Sequence, residues 1–78
     1  EGIANFMCII PEAKFSLLLT EEPNGQFRGS LRSEEFKNID VSHIANLFGG
    51  GGHKLAAGFT TDLKPEDIIG KIKQAVAR

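Results

Sequence analysis

Four consecutive glycines at positions 49–52 restrict the possible structures of this chain more than any other feature. Glycine loses more backbone entropy on folding than any other residue, so four in a row within a small domain indicate a specific use. A helix commonly ends at a glycine, but that role needs only one or two of the four. The others permit two interpretations: a structural turn, or a loop whose backbone N–H groups approach an anion such as phosphate.

His53 and Lys54 directly follow the glycines. Phosphate loops of nucleotide-binding proteins precede a helix, whereas these glycines are predicted to follow one, whose C-terminal end disfavours an anion by about 0.3–1 kcal/mol. A cationic group must offset this effect, and His53 and Lys54 are suitable. His53 has few bulky neighbours in sequence, so we expect it to face a ligand rather than the core. His43 is expected to face solvent.

Length and charge limit the classes of protein that fit. The 78 residues are enough for one small domain, and nine basic against ten acidic residues give a net charge of −1. This balance argues against a general nucleic-acid coat protein. Residues 1–40 carry four Lys/Arg and seven Asp/Glu (−3), whereas residues 41–78 carry five and three (+2). An anion site is therefore expected to draw on the second half.

Several kinds of site and segment are not expected. Cys8 is the only cysteine and lies in an apolar run, so it is expected to be a buried, inert thiol. With two histidines besides, the chain is expected to form no internal disulfide and no self-contained zinc site. No signal peptide or membrane span is expected, and the missing initial Met suggests a piece of a longer protein. No catalytic residue and no metal ligand is predicted.

The periodicity predicts an α+β fold, an α/β sandwich in which a small mixed sheet with a β-hairpin has helices packed on it. Residues 3–10 fit either a short helix or a strand. The remaining predicted elements are a strand over 14–22, a hairpin turn at Pro23-Asn24-Gly25, a strand over 26–32, a helix through Val41, Ile44, Ala45, Leu47 and Phe48 capped by Asp40, a strand over 55–61, and a helix from Pro65 that buries Ile68, Ile69, Ile72 and Val76.

The strand over 26–32 alternates in polarity. This pattern places Arg28, Ser30 and Arg32 on one face. Arg32 ends the strand, where its planar guanidinium can hold a phosphate through two parallel hydrogen bonds. A solvated side chain is the alternative for an arginine at such a position.

Four short segments together resemble the DHH-associated domain, the C-terminal substrate-binding part of DHH-superfamily phosphoesterases. That superfamily includes RecJ-like nucleases, oligoribonucleases that degrade nanoRNA, and enzymes that cleave dinucleotides or adenosine bisphosphate. The resemblance covers roughly residues 14–77. The segments are Ser30-Leu31-Arg32-Ser33, Ile39-Asp40-Val41-Ser42, Gly49-Gly50-Gly51-Gly52-His53-Lys54 and Ala56-Ala57-Gly58-Phe59.

The resemblance implies a division of labour between two domains. A separate N-terminal catalytic domain with an Asp-His-His motif would hold manganese ions, and residues 14–78 would be the substrate-binding domain, with residues 1–13 an interdomain connection or a first short helix. This chain would then bind no cofactor, be inactive alone, and belong to a cytoplasmic, metal-dependent phosphoesterase. Its partners would be the catalytic domain and a short oligonucleotide, dinucleotide or nucleotide phosphate, with no membrane involved.

The resemblance also assigns the binding residues. The glycine run and His53 would contact phosphate near the metals, Arg32 with Ser30 would hold another phosphate, and Ala56, Ala57 and Gly58 would permit close approach. A bulky residue at Gly51 is expected to damage both binding and stability. The full set of predicted phosphate-binding residues is Ser30, Arg32, Ser33, Gly49, Gly50, Gly51, Gly52, His53, Lys54, Ala56, Ala57 and Gly58.

Two other functions stay open at this stage. One is a stand-alone nucleic-acid-binding domain of the type appended to alanyl-tRNA synthetase-like proteins, although a binder of long polymers usually shows a basic stripe. The other is a protein-interaction domain whose glycines form only a turn. The sequence does not decide among nanoRNA, a cyclic dinucleotide, adenosine bisphosphate and single-stranded DNA as the substrate.

Overall fold

The computed structural model describes residues 5–10, 15–34 and 39–76. Within these ranges five strands form one sheet in the order β1-β2-β3-β5-β4, and two helices accompany it. The α+β class is therefore confirmed, but every described strand pair is antiparallel, where a mixed sheet was expected. The elements are β1 (Asn5–Ile10), β2 (Phe15–Glu21), β3 (Phe27–Arg32), α1 (Val41–Asn46), β4 (Gly51–Gly52), β5 (Ala56–Thr61) and α2 (Pro65–Val76).

Residues 5–10 form strand β1, so the alternative of a short helix at the start of the chain is wrong for these residues. Strand β1 pairs with β2 along its whole length, from Asn5 opposite Thr20 to Ile10 opposite Phe15. A run of this length has an ambiguous period, and pairing with the edge of β2 decides in favour of a strand. Residues 1–4 and 11–14 lie outside the described part, as does the side chain of Cys8, so its burial stays a prediction.

The hairpin between β2 and β3 forms where the Pro-Asn-Gly sequence predicts it. The N–H of Gly25 donates to the carbonyl of Glu22 at 2.9 Å, and the N–H of Glu22 donates to the carbonyl of Gln26 at 2.8 Å. Gly25 has φ of 91°, so a three-residue loop ending in a left-handed glycine closes the turn. Asn24 Oδ1 accepts the N–H of Gln26 at 3.0 Å and braces the loop.

One face of the sheet is buried beneath the two helices. The period-two alternation of β3 is observed as predicted, with Phe27, Gly29 and Leu31 buried and the residues between them exposed. Helix α2 begins at Pro65 as predicted and buries Ile68 and Ile72 completely. The core consists of Phe15, Leu17, Leu19, Phe27, Leu31, Val41, Ile44, Ala45, Ala57, Phe59, Ile68 and Ile72, with Ile39, Phe48, Ile69 and Val76 packed against it.

The other face of the sheet is the one that we call the open face. The residues of the open face are exposed or half-buried. Neither helix of the described ranges is long and apolar enough to cross a bilayer. The open face of β2, β3 and β5 consists of Ser16, Leu18, Thr20, Arg28, Ser30, Arg32, Ala56, Gly58 and Thr60.

Two details of α1 differ from the prediction. The helix ends at Asn46, so Leu47 follows the last turn and is 38% exposed instead of joining the buried stripe. Phe48 is half-buried, and its ring stacks on the ring of Phe59 with centroids 4.3 Å apart. Lys71 belongs to α2, and its Nζ lies 5.3 Å from the centroid of the Phe48 ring. These contacts hold the start of the glycine run against β5.

Two glycine substitutions test this packing in opposite directions. A Cβ on Gly29 would lie 2.2 Å from the buried ring of Phe59, so we expect Gly29→Ala to lower the free energy of unfolding by about 1–3 kcal/mol. A Cβ on Gly70 in α2 would meet nothing within 4 Å, so Gly70→Ala should raise it by about 0.4–1 kcal/mol. Thermal melts resolve both, at about 4–8 °C per kcal/mol for a domain of this size. Equal shifts for the two variants would contradict the packing described for Gly29.

Candidate anion-binding face

The first two glycines of the run end helix α1. The N–H of Gly49 donates to Asn46 at 3.1 Å and the N–H of Gly50 donates to Ala45 at 3.0 Å. With Gly49 at φ of 81°, this pair of bonds is a Schellman motif. The structural interpretation therefore holds for these two residues, whose N–H groups are engaged within the chain.

The last two glycines form strand β4 and begin a second hairpin. Gly51 lies opposite Gly58 and Gly52 opposite Ala57 on β5. The ladder continues with His53, whose N–H donates to Ala56 at 2.7 Å and whose carbonyl accepts the N–H of Ala56 at 3.2 Å. Alternation in an antiparallel ladder turns the N–H of Gly52 away from β5, toward the edge of the sheet.

The register of the sheet brings His53 and Arg32 to one row. Ala56 is paired with Arg32 on one side and with His53 on the other. Directly paired residues of a sheet share a face, and two strand spacings separate the outer Cα atoms by about 10 Å. Arg32 and His53 are both exposed, so their side chains flank Ala56 on the open face.

The next row provides the floor of the same surface. Ser30 lies opposite Gly58, which lies opposite Gly51. Only the hydroxymethyl group of Ser30 rises from this row, because the other two residues have no side chain. A ligand between Arg32 and His53 can therefore approach the backbone of β5 closely.

Three other predicted residues lie elsewhere. Ala57 is 9% exposed and belongs to the core, so its side chain cannot contact a ligand on the open face. Lys54 is exposed at the tip of the second hairpin, where its carbonyl accepts the N–H of Val41 at 2.9 Å. Ser33 is half-buried just beyond β3, and its N–H donates to Leu55 at 3.0 Å. The roles of Ser33 and Lys54 in binding stay predictions.

The open face is concave, and the concavity includes residues that the sequence analysis left out of the site. A depression of about 330 Å³ lies beside Arg32, Ala56 and the glycines of β4. A larger one of about 630 Å³ adjoins it and is lined by Arg28, Thr20, Thr60, Leu18, Gly49, Gly50 and Phe59. Ser30 and Gly58 line both. The period-two pattern of β3 already placed Arg28 on the same face as Arg32, so the sequence contained a signal for Arg28 as a site residue. Thr20 and Thr60 join this surface only through the register between strands.

Comparison with protein families agrees with this arrangement of motifs. A family model described as the DHHA1 domain matches residues 1–78. The chain belongs to the DHHA1 family. This is the DHH-associated domain of DHH-superfamily proteins, and the match extends over the first 13 residues, beyond the range of the resemblance noted from the motifs.

Asp40 fixes the start of α1 in this DHHA1 domain. Its Oδ1 accepts the N–H of Ser42 at 3.0 Å and the hydroxyl of Ser42 at 2.5 Å. The bond from the Ser42 hydroxyl lowers the pKa of the Asp40 carboxyl below its ordinary value of 3.8, against a smaller opposing effect of burial, and the charges of His43 and Lys54 add to the lowering. His43 is 78% exposed, as expected, with Nε2 3.8 Å from Asp40 Oδ2.

The four glycines of the run differ in how much space surrounds them. A Cβ on Gly50 would lie 2.1 Å from the carbonyl oxygen of Gly58, and one on Gly52 would lie 2.6 Å from Ala57 Cα, so backbone blocks both. Gly52 also has φ of 148°. A Cβ on Gly51 would meet only Asn46 Oδ1 at 3.8 Å. The structure therefore predicts that a side chain destabilises the fold at Gly50 or Gly52, and not at Gly51 as the sequence analysis expected.

The titration of Asp40 gives a pH prediction. Because the folded-state pKa is lowered, the charged carboxyl stabilises the fold, and this contribution is present above the unfolded pKa and lost as pH falls through the folded one. Asp40→Asn keeps a capping oxygen but cannot titrate. We expect the stability difference between the wild type and Asp40→Asn to shrink on acidification from about pH 6 to about pH 2.5, measured by urea unfolding. A difference that stays constant over this range would contradict the capping role of the charge.

Gly50 and Gly51 form a matched pair for testing the approach of β4 to β5. We expect Gly50→Ala to lower the free energy of unfolding by about 1–3 kcal/mol, because the new methyl group meets backbone that cannot rotate away. Gly51→Ala should change it by less than about 0.5 kcal/mol, since only ordinary contacts result. Urea denaturation of the two variants measures both values. If Gly51→Ala were as unstable as Gly50→Ala, the packing described for β4 against β5 would be contradicted.

Proposed function

We propose that this DHHA1 domain binds the phosphate groups of a nucleotide or short oligonucleotide and presents them to the catalytic domain of a DHH-family phosphoesterase. The observation that carries the proposal is the row in which Arg32 and His53 flank Ala56 on the open face. Two cationic or hydrogen-bonding side chains over a floor without bulky side chains fit a compact, multiply charged anion better than an apolar ligand.

The donor chemistry of the row suits phosphate. The guanidinium of Arg32 offers a planar pair of N–H donors that matches two phosphate oxygens. The imidazole of His53 carries at least one N–H donor in either protonation state. The hydroxyl of Ser30, one row away, adds a neutral donor. Together these groups can contact one phosphate from two sides and from below.

The proposed division of labour leaves hydrolysis to a second domain. Two-metal cleavage of a phosphodiester requires a cluster of acidic and imidazole ligands to hold the ions. We place the manganese ions in the N-terminal DHH domain and give this chain the binding step, in a cytoplasmic enzyme. The 78-residue chain alone should then bind a dinucleotide and leave it intact when manganese is added, as chromatography of the mixture would show.

A stand-alone binder of RNA is less compatible with the open face. Proteins that bind single strands without a catalytic partner commonly stack bases on exposed aromatic rings. On β2, β3 and β5 the open face carries serine, threonine, leucine, arginine, alanine and glycine, and no aromatic residue. Phosphate contacts are therefore the main source of affinity that this face offers.

Replacement of the two flanking residues tests the proposal. We expect Arg32→Ala and His53→Ala each to weaken binding of a 5′-phosphorylated dinucleotide by about ten- to hundredfold, since a charge-assisted hydrogen bond contributes about 1.5–3 kcal/mol. Both side chains are exposed, so the melting temperature should change little. Calorimetric titration and thermal melts measure the two quantities.

Lys73→Ala is the matched control, because it removes one exposed positive charge from α2, away from the open face. It should leave affinity within about twofold of the wild type. Lower melting temperatures for Arg32→Ala and His53→Ala with unchanged affinity would give these residues a structural role and overturn the proposal.

A further inference from the structure

We infer that Arg28, with Thr20 and Thr60, forms a second anion-binding point on the open face that makes affinity depend on substrate length. This inference rests on the proposed function, because it takes Arg32 and His53 as the first phosphate site. It adds a ligand class, a linear oligonucleotide long enough to place one phosphate at each of two separate points. A mononucleotide would occupy the first site only.

The second point is a polar row that crosses four strands. Asn5 lies opposite Thr20, Thr20 opposite Arg28, and Arg28 opposite Thr60. Asn5, Arg28 and Thr60 are exposed and Thr20 is half-exposed. The two threonines flank Arg28 in the register of the sheet, so the row carries one cationic side chain and two hydroxyls on the same face.

This row belongs to the same concave surface as the first site. Arg28, Thr20 and Thr60 line the depression of about 630 Å³, which meets the Arg32 depression at Ser30 and Gly58. The meeting point has almost no side chain in it. A linear ligand can therefore lie along β3 from one arginine to the other without passing over a bulky residue.

The two arginines are held apart along β3, and an ion pair holds Arg28 on the side away from Arg32. They are four residues apart on one strand, which separates their Cα atoms by about 13 Å. Arg28 Nε lies 3.5 Å from Glu22 Oε2 in the hairpin loop, on the side away from Arg32. This ion pair draws the guanidinium of Arg28 toward the hairpin, and a guanidinium has two terminal nitrogens besides Nε that can donate.

The surface between the arginines suits the non-phosphate part of a nucleotide. Leu18 is half-buried on the open face and lies opposite Ser30. Its side chain offers apolar contact to a ribose or base, and the Ser30 hydroxyl offers a hydrogen bond beside it. The surface therefore runs from charged through mixed to charged, as an oligonucleotide with phosphates at both ends and nucleosides between them requires.

Ligand length is the variable that tests this inference. An adenylate mononucleotide and a 5′-phosphorylated adenylate trinucleotide are titrated into the wild-type chain and the Arg28→Ala variant. We expect Arg28→Ala to weaken trinucleotide binding about three- to tenfold and to leave mononucleotide binding unchanged. The slope of log affinity against log salt should fall by about 0.7 for the trinucleotide alone, the value for one lost phosphate contact on a single strand.

Glu22→Gln separates ligand contact from support of the hairpin. It breaks the same ion pair as Arg28→Ala but keeps the positive charge, so trinucleotide affinity should stay equal or rise. Lys73→Ala controls for a general loss of charge and should affect neither ligand. The inference is overturned if Glu22→Gln reproduces the loss, or if Arg28→Ala weakens both ligands equally or neither.

Arg32→Ala distinguishes failure of this inference from failure of the proposed function. If Arg32→Ala weakens both ligands while Arg28→Ala weakens neither, only the second point is rejected. If Arg32→Ala and His53→Ala leave both ligands bound as tightly as in the wild type, the first site is rejected and the second with it.

Discussion

The pairing of β3 with β5 is the interaction on which both the core and the candidate site depend. On one side of this pair Gly29 lies opposite Phe59 and Leu31 opposite Ala57, within the core. On the other side Arg32 lies opposite Ala56. A slip of one residue would exchange the two faces, burying arginine and exposing leucine. The free energy of burying the core therefore also fixes the register of the polar rows.

The glycines serve the sheet more than they serve a ligand directly. Gly49 and Gly50 direct their N–H groups to the end of α1, and Gly50 and Gly52 lie where a side chain would collide with β5. In the proposed function the run contributes space to an anion and positions His53, the next residue, beside Ala56 of β5. This differs from a phosphate loop, whose backbone N–H groups hold the ligand.

The elements that the sequence predicted have local signals. Pro23 and Gly25 indicate the first hairpin, Asp40 and Pro65 mark the helix starts, and the alternation from residue 27 to residue 32 assigns two faces to β3. Each depends on side chains only a few positions away. The motif resemblance added the family, which the match over residues 1–78 confirms.

The elements that the sequence left open or missed depend on distant pairing. Residues 5–10 are a strand because β2 offers them an edge, and Gly51–Gly52 form β4 because β5 does. Leu47 is exposed because the Schellman motif ends α1 early. The rows that join Arg28 to Thr60 and Arg32 to His53 follow from register between strands, which no local pattern encodes.

Backbone amide chemical shifts during titration with a 5′-phosphorylated dinucleotide test the central claim most directly. If the open face holds the phosphates, the largest shifts will occur at Arg32, His53 and Gly58, while the amides of α2 on the opposite side move little. Shifts concentrated on α2, or no saturable shift at all, would contradict the account.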